Sequence, residues 1–247
     1  MGIWRDNAAM TLTAASASGE APGFLGVVML DTRFPRPPGD VGHPEAFGVP
    51  VRQHVVRGAW PGTVVQSAAG LRAAGVAPAF VRAVQALEAE GARAITTSCG
   101  FLVLLQDELQ AAARVPVRTS SLLQLPALLA QQPKVGVLTI SAAALGPEHL
   151  HAAGVPVSRI GDVVLQGVEP TGEFATAILG NRETLDIEKA GREVLEAALA
   201  LRQREPSLQA VVLECTNLPP YRQAIEAATG LKTWALTDDK SLLRRWR

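Results

Sequence analysis

The sequence predicts an α/β protein of two pseudo-symmetric lobes, each a mainly parallel sheet flanked by helices, with the active site in the cleft between them. Three observations predict it. Short apolar runs rich in Val, Ile and Leu alternate with helical patterns, as strands buried on both faces and covered by helices do. Each of the two cysteines follows one of these runs, and the segments that lead into the cysteines share a layout.

In chain order, residues 1–22 are small and polar apart from Ile3, Trp4 and Leu12 and read as a flexible leader. The first lobe is expected over 23–119, with 226–247 returning to it, and the second over 120–225. A buried strand over 24–30 opens the first lobe. It runs into a long polar loop, 31–44, and loops of this length are often functional. A helix is expected from near Pro78, a residue suited to a first turn, with Phe80, Val84 and Leu87 on one face and a stop at Gly91. The strand 94–97 then leads to Cys99.

The second lobe repeats the plan. Strands are expected at 135–140 and 163–166. A helix follows over 185–204, with Ile187, Ala190, Val194, Ala198 and Leu201 as its apolar stripe and Pro206 beyond its end. The strand 210–213 leads to Cys215. The opening strands Gly26-Val27-Val28-Met29-Leu30 and Gly136-Val137-Leu138-Thr139-Ile140 resemble one another. Gly26 precedes Cys99 by 73 positions and Gly136 precedes Cys215 by 79. Ligands of open α/β sheets sit beyond the carboxyl ends of strands, where Asp31, Cys99, Ser141 and Cys215 all fall.

Lys plus Arg and Asp plus Glu balance at 23 each, so no global field recruits nucleic acid or an anionic membrane. The basic run 240–247 reads as the end of a last helix. No stretch reaches the roughly 20 apolar residues that span a bilayer, and the first twenty lack the pattern of a signal peptide. The expectation is a cytoplasmic protein. Two cysteines far apart in a reducing compartment do not suggest a disulfide and are too few for a cysteine zinc site. His43, His54, His149 and His151 form no ligand motif, and His149 and His151 suit a helix surface. No lysine lies in a recognisable cofactor-attachment motif, so neither metal nor pyridoxal phosphate is expected.

The thiols are left as the chemistry. Each lies on a strand-to-helix turn, where helix amides favour thiolate. Inverting a carbon centre needs a base on one face and an acid on the other, and a quasi-symmetric pair supplies both, exchanging roles with substrate enantiomer. Amides after each cysteine are placed to hold a carboxylate, Gly100 permits close approach, and Thr216 and Asn217 add donors; the last two could instead merely cap a helix starting near 218–220. In the loop 31–44, Arg33 or Arg36 is a candidate partner for a substrate carboxylate, the alternative being a solvated connection.

The segments T-T-S-C-G-F-L around Cys99, L-E-C-T-N-L-P-P-Y around Cys215, the strand ending L-D-T and V-G-V-L-T-I-S resemble the aspartate/glutamate racemase superfamily, over nearly the whole chain after Phe24. The resemblance implies Cys99 and Cys215 as catalytic thiols and no cofactor. It implies Asp31, Thr32, Thr139, Thr216 and Asn217 as substrate contacts. Arg33, Ser98, Gly100, Phe101 and Ser141 complete the candidate site, and a homodimer is implied. Gly100 and Phe101 stand where glutamate and aspartate racemases usually carry Asn and Thr, and Asn217 stands where glutamate racemases often carry His. The expected activity is racemisation or epimerisation of an amino acid or derivative. The alternatives are a cis-trans isomerase or lyase of a small dicarboxylate, and a non-catalytic small-molecule binding protein.

Overall fold

The computed structural model describes residues 23–246, the side chain of Arg245 excepted; the expected leader lies outside them. Two four-stranded sheets, parallel throughout, organise the chain. The first has the order β2-β1-β3-β4, from β1 (Phe24–Leu30), β2 (Val51–Val56), β3 (Ala92–Thr97) and β4 (Val117–Arg118). The second has the order β6-β5-β7-β8, from β5 (Val135–Thr139), β6 (Val163–Gly167), β7 (Ala210–Leu213) and β8 (Lys232–Trp234). The orders match strand for strand, so the repeat in the sequence is a repeat in topology. Cys99 follows β3 and Cys215 follows β7, the same inner strand of each sheet.

The central strands form where the sequence is largely apolar. β1, β5 and β7 are buried along their whole length, the state in which a parallel strand loses its alternation. The helix Ala77–Ala89 buries Phe80, Ala83, Val84 and Leu87. The chain then turns through Gly91 at φ 98°, a backbone state that favours glycine. The helix Ile187–Arg204 starts two residues later than expected, because the Asp186 side chain accepts from the Lys189 amide and caps it. Its stripe is Ala190, Val194, Ala197, Ala198 and Leu201; Ile187, expected within it, is exposed, since it precedes the point where the helix meets the sheet.

One apolar core runs through both sheets and joins β1 and β3 residues to β5 and β7 residues. A smaller cluster lies under the outer face of the first sheet, where Leu25, Val27, Met29 and Ala94 meet Leu236 and Leu242. This places the C-terminal return differently from expectation. The helix Arg222–Thr229 and β8 belong to the second sheet, and only from Leu236 does the chain cover the first. Arg118 Nε donates to Asp239 at 2.7 Å and fastens that crossing. Among the described residues no helix is long and apolar enough to cross a membrane.

Candidate active site

Cys99 and Cys215 line one cavity at the carboxyl ends of both sheets, together with Thr32, Phe34, Arg36, Ser98, Gly100, Phe101, Ile140, Ile178, Glu214, Thr216 and Asn217. The cavity is tight: its volume is about 20 Å³, room for about one water molecule. The two cysteine turns are tied directly to each other: the Thr216 hydroxyl donates to the Ser98 carbonyl at 2.6 Å. Ser98 in turn accepts from the Leu30 amide at 3.0 Å, which fixes the first turn to the end of β1.

The loop 31–44 is knitted down over this cleft. Asp40, 1% exposed, accepts from Arg36 at 2.9 Å, from the Gly42 amide at 2.7 Å and from Asn217 Nδ2 at 2.6 Å. The Val41 amide donates to the Thr216 carbonyl at 3.1 Å. Arg36 also donates to Thr32 Oγ1 at 2.9 Å, and its guanidinium lies 4.4 Å from the centre of the Phe34 ring. Its Nε is buried and has no hydrogen-bond partner among the described residues. Of the two arginines weighed for this loop, Arg36 faces the cavity. Arg33 is exposed beside Glu183 at 3.4 Å, because its amide donates to Asn181 Oδ1 and holds that residue on the rim.

Three further expected contacts do not line the cavity. The Asp31 carboxylate turns outward to accept from the Gly58 amide at 2.9 Å and from Arg57 at 3.4 Å. Ser141 Oγ accepts from the Ala144 amide at 3.3 Å and closes a local turn. Thr139 is buried behind the site and donates to Glu214 Oε2 at 2.7 Å. Thr32, Ser98, Gly100, Phe101, Thr216 and Asn217 do line it. Thr216 and Asn217 cap no helix: the 3₁₀ turn Pro219–Tyr221 has no side-chain cap. His149, expected on a helix surface, is fully buried with its ring edge-on to Phe101 at 5.0 Å, and burial lowers its pKa.

Both thiols are buried, each 6% exposed, and the expected activation by a helix end is not what the resting site provides. Burial first and the Glu214 carboxylate second push the Cys99 thiol up to about 12, and the Phe101 and Leu102 amides and Arg36 oppose this only in part. Cys99 leads into a 3₁₀ segment, Gly100–Leu105, whose hydrogen bonds are less well aligned than those of an α-helix. Cys215 is raised well above its ordinary value by burial and then by Glu214. Its thiol donates to Asn217 Oδ1 at 3.5 Å. The resting pair is therefore protonated.

Glu214 is the residue that sequence reasoning passed over. It sits at the end of β7, 1% exposed, with Oε1 buried and unpartnered among the described residues. Burial raises its carboxyl to about 7, against the Thr139 hydrogen bond that lowers it. A Cβ added at Gly100 would stand 2.3 Å from both the Glu214 carbonyl and Oε1. Gly100 is thus the counterpart of Glu214, and the bare backbone there makes room for the carboxylate. An acidic residue at the end of an otherwise apolar strand was the available signal.

Fold and site together define an α/β enzyme scaffold with one thiol contributed by each of two matching sheets. The sequence matches the Asp/Glu/Hydantoin racemase family over residues 58–237, and the chain belongs to that family. It is 33% identical over 217 residues to a dimethylsulfoniopropionate lyase of Durusdinium sp. clade D, covering 85% of this chain and 70% of the relative. Further lyases of that name from Emiliania huxleyi (strain CCMP1516) match at 30% identity, and the chain spans only 43 to 66% of their lengths. Among solved structures, glutamate racemase from Francisella tularensis subsp. tularensis SCHU S4 aligns with a TM-score of 0.55 at 15% identity, over 91% of this chain and 80% of that one. The Gly74Cys-Cys188Ser mutant of arylmalonate decarboxylase aligns with a TM-score of 0.56 at 13% identity, over 90% and 92%. Those two alignments show the fold: two parallel four-stranded sheets flanked by helices.

Proposed function

We propose that this chain is a thiol-based lyase that removes the proton α to a carboxylate and expels a neutral sulfide from the β carbon, as in cleavage of dimethylsulfoniopropionate to acrylate and dimethyl sulfide. The observation that carries the reading is the enclosed cavity in which two thiols and the Arg36 guanidinium face the same small space. The 33% identical relative of that name supports the choice of substrate.

In this mechanism the substrate carboxylate lies against Arg36, whose free Nε–H suits an anionic acceptor. Cys99 is the base, since the Phe101 and Leu102 amides and Arg36 all favour its thiolate. Cys215, donating to Asn217, stays a thiol. The sulfonium charge favours ionisation of Cys99 when substrate enters, and this opposes the effect of burial. The thiolate takes the α-proton, the C–H electrons form the carbon–carbon double bond, and the β C–S bond breaks toward the departing sulfide. No proton need return to carbon, so one base suffices.

A second reading, racemisation or epimerisation of an amino acid or derivative, is favoured by the matching placement of the two thiols at the ends of β3 and β7. Incubating the purified protein with dimethylsulfoniopropionate, and separately with single-enantiomer amino acids and hydantoins in deuterated water, distinguishes them. Elimination predicts dimethyl sulfide and acrylate, abolished in Cys99→Ser and retained in part in Cys215→Ser. Racemisation predicts loss in both variants. A protein that releases no sulfide refutes the lyase reading.

A further inference from the structure

We propose that Glu214 is the binding group for a positively charged centre, so that the cavity selects a zwitterion with its carboxylate at Arg36 and its cation at Glu214. This rests on the lyase reading and names the residue that meets the leaving group's charge. Every other polar group at the site already has a partner. Asp40 is saturated by Arg36, Gly42 and Asn217, Thr216 is bonded to Ser98, and Ser98 to Leu30. Among the cavity-lining residues, the buried side-chain atoms without a partner are Arg36 Nε, a donor, and Glu214 Oε1, an acceptor. They call for opposite charges.

The surroundings hold Glu214 in place for this role. Thr139 fixes Oε2 at 2.7 Å and leaves Oε1 open, and Gly100 offers no side chain to cover it. A buried carboxylate with no counter-ion is costly, and a cation that enters beside it recovers part of that cost. Phe34 and Phe101 line the same space and provide the apolar surface that methyl groups on a sulfonium or ammonium require.

The other titratable groups that face or adjoin the site are Cys99 and Cys215, both held protonated, Tyr221, pushed up to about 12 by burial and by Asp40, and the Arg36–Asp40 pair. His149 stands behind Phe101 with its pKa lowered. Glu214 is therefore the group whose charge changes between pH 6 and 8, and cation preference should rise with pH through that range.

Two unreactive probes of the same shape test this: 3-(trimethylammonio)propionate and 4,4-dimethylpentanoate, its isostere that keeps the carboxylate but has a neutral carbon in place of the cationic nitrogen, titrated calorimetrically into the intact protein. At pH 8 the wild type should bind the cation about tenfold more tightly than the isostere, with a smaller ratio at pH 6. Glu214→Gln should remove the preference and leave the affinity for the isostere. Thr139→Val, by removing the hydrogen bond that lowers the Glu214 pKa, should move the onset of preference to higher pH; this variant carries the test should Glu214→Gln fail to fold. Equal affinities in the wild type, a preference that survives in Glu214→Gln, or an unmoved onset in Thr139→Val would overturn the proposal. Binding is read without turnover, so a protein that shows the preference and releases no sulfide would overturn only the lyase reading.

Discussion

Gly100→Ala puts one methyl group where the structure has no room for it. The new Cβ would lie 2.3 Å from the Glu214 carbonyl oxygen and from Oε1, against ordinary carbon–oxygen contacts of about 3.3–3.6 Å. Relief requires a separation of about 1 Å between the two cysteine turns. Glu214 cannot supply it cheaply, because its amide donates to the Leu138 carbonyl at 2.9 Å and its side chain is pinned by Thr139. Overpacking of this kind costs about 1–3 kcal/mol. At about 2–4 °C per kcal/mol for a domain of this size, the melting temperature should fall by about 5 °C. A 1 Å displacement beside the chemistry costs on the order of 100-fold in turnover, so activity should suffer more than stability. Differential scanning calorimetry and a turnover assay check both, with Gly161→Ala as control, since a Cβ there meets nothing within 4 Å. A Gly100→Ala protein as stable and active as the control would refute the account of Glu214 and Gly100 as a packed pair.

Glu214 also sets a pH dependence of stability. Its carboxyl is raised from 4.5 to about 7 on folding, so the folded state binds the proton more tightly. The associated stability is fully present below pH 4.5 and is lost as pH rises through 7, about 3 kcal/mol in all. Glu214→Gln should therefore gain on the wild type between pH 5 and pH 8 in urea melts, and a constant gap would contradict this. Asp40→Ala strands the largely buried Arg36 guanidinium and the Asn217 amide. It should destabilise the fold by about 3–5 kcal/mol, measured by the same melts; a loss below about 1 kcal/mol would match an exposed pair instead.

The inner strands were legible because parallel strands covered on both faces are largely apolar, as β1, β5 and β7 are but for Thr139. The edges were not. β2 carries exposed Arg52 and Gln53 and resembles a loop, while β4 and β8 are two and three residues long, too short for any period to register. Cys99 and Cys215 stood out because the repeat is local in sequence. Asp40 did not, because its partner Asn217 lies 177 positions away. Asp31 lies off the cavity for a related reason: the end of a strand places a residue near a cleft, but its carboxylate accepts from the Gly58 amide in the turn after β2. The protonated state of the thiols could not be read from their turns, since the burial that outweighs the amides is set by the tertiary packing of the whole site.

The cluster beneath the first sheet carries a consequence for how the protein is made. Leu25, Val27 and Ala94 are synthesised early, yet Leu236 and Leu242, which cover them, leave the ribosome among the last described residues. Until then that face of the first sheet is covered only by Val41, Phe47 and their neighbours from the segment between β1 and β2. Vectorial synthesis therefore completes this face of the first sheet only after the strands of the second sheet have been made.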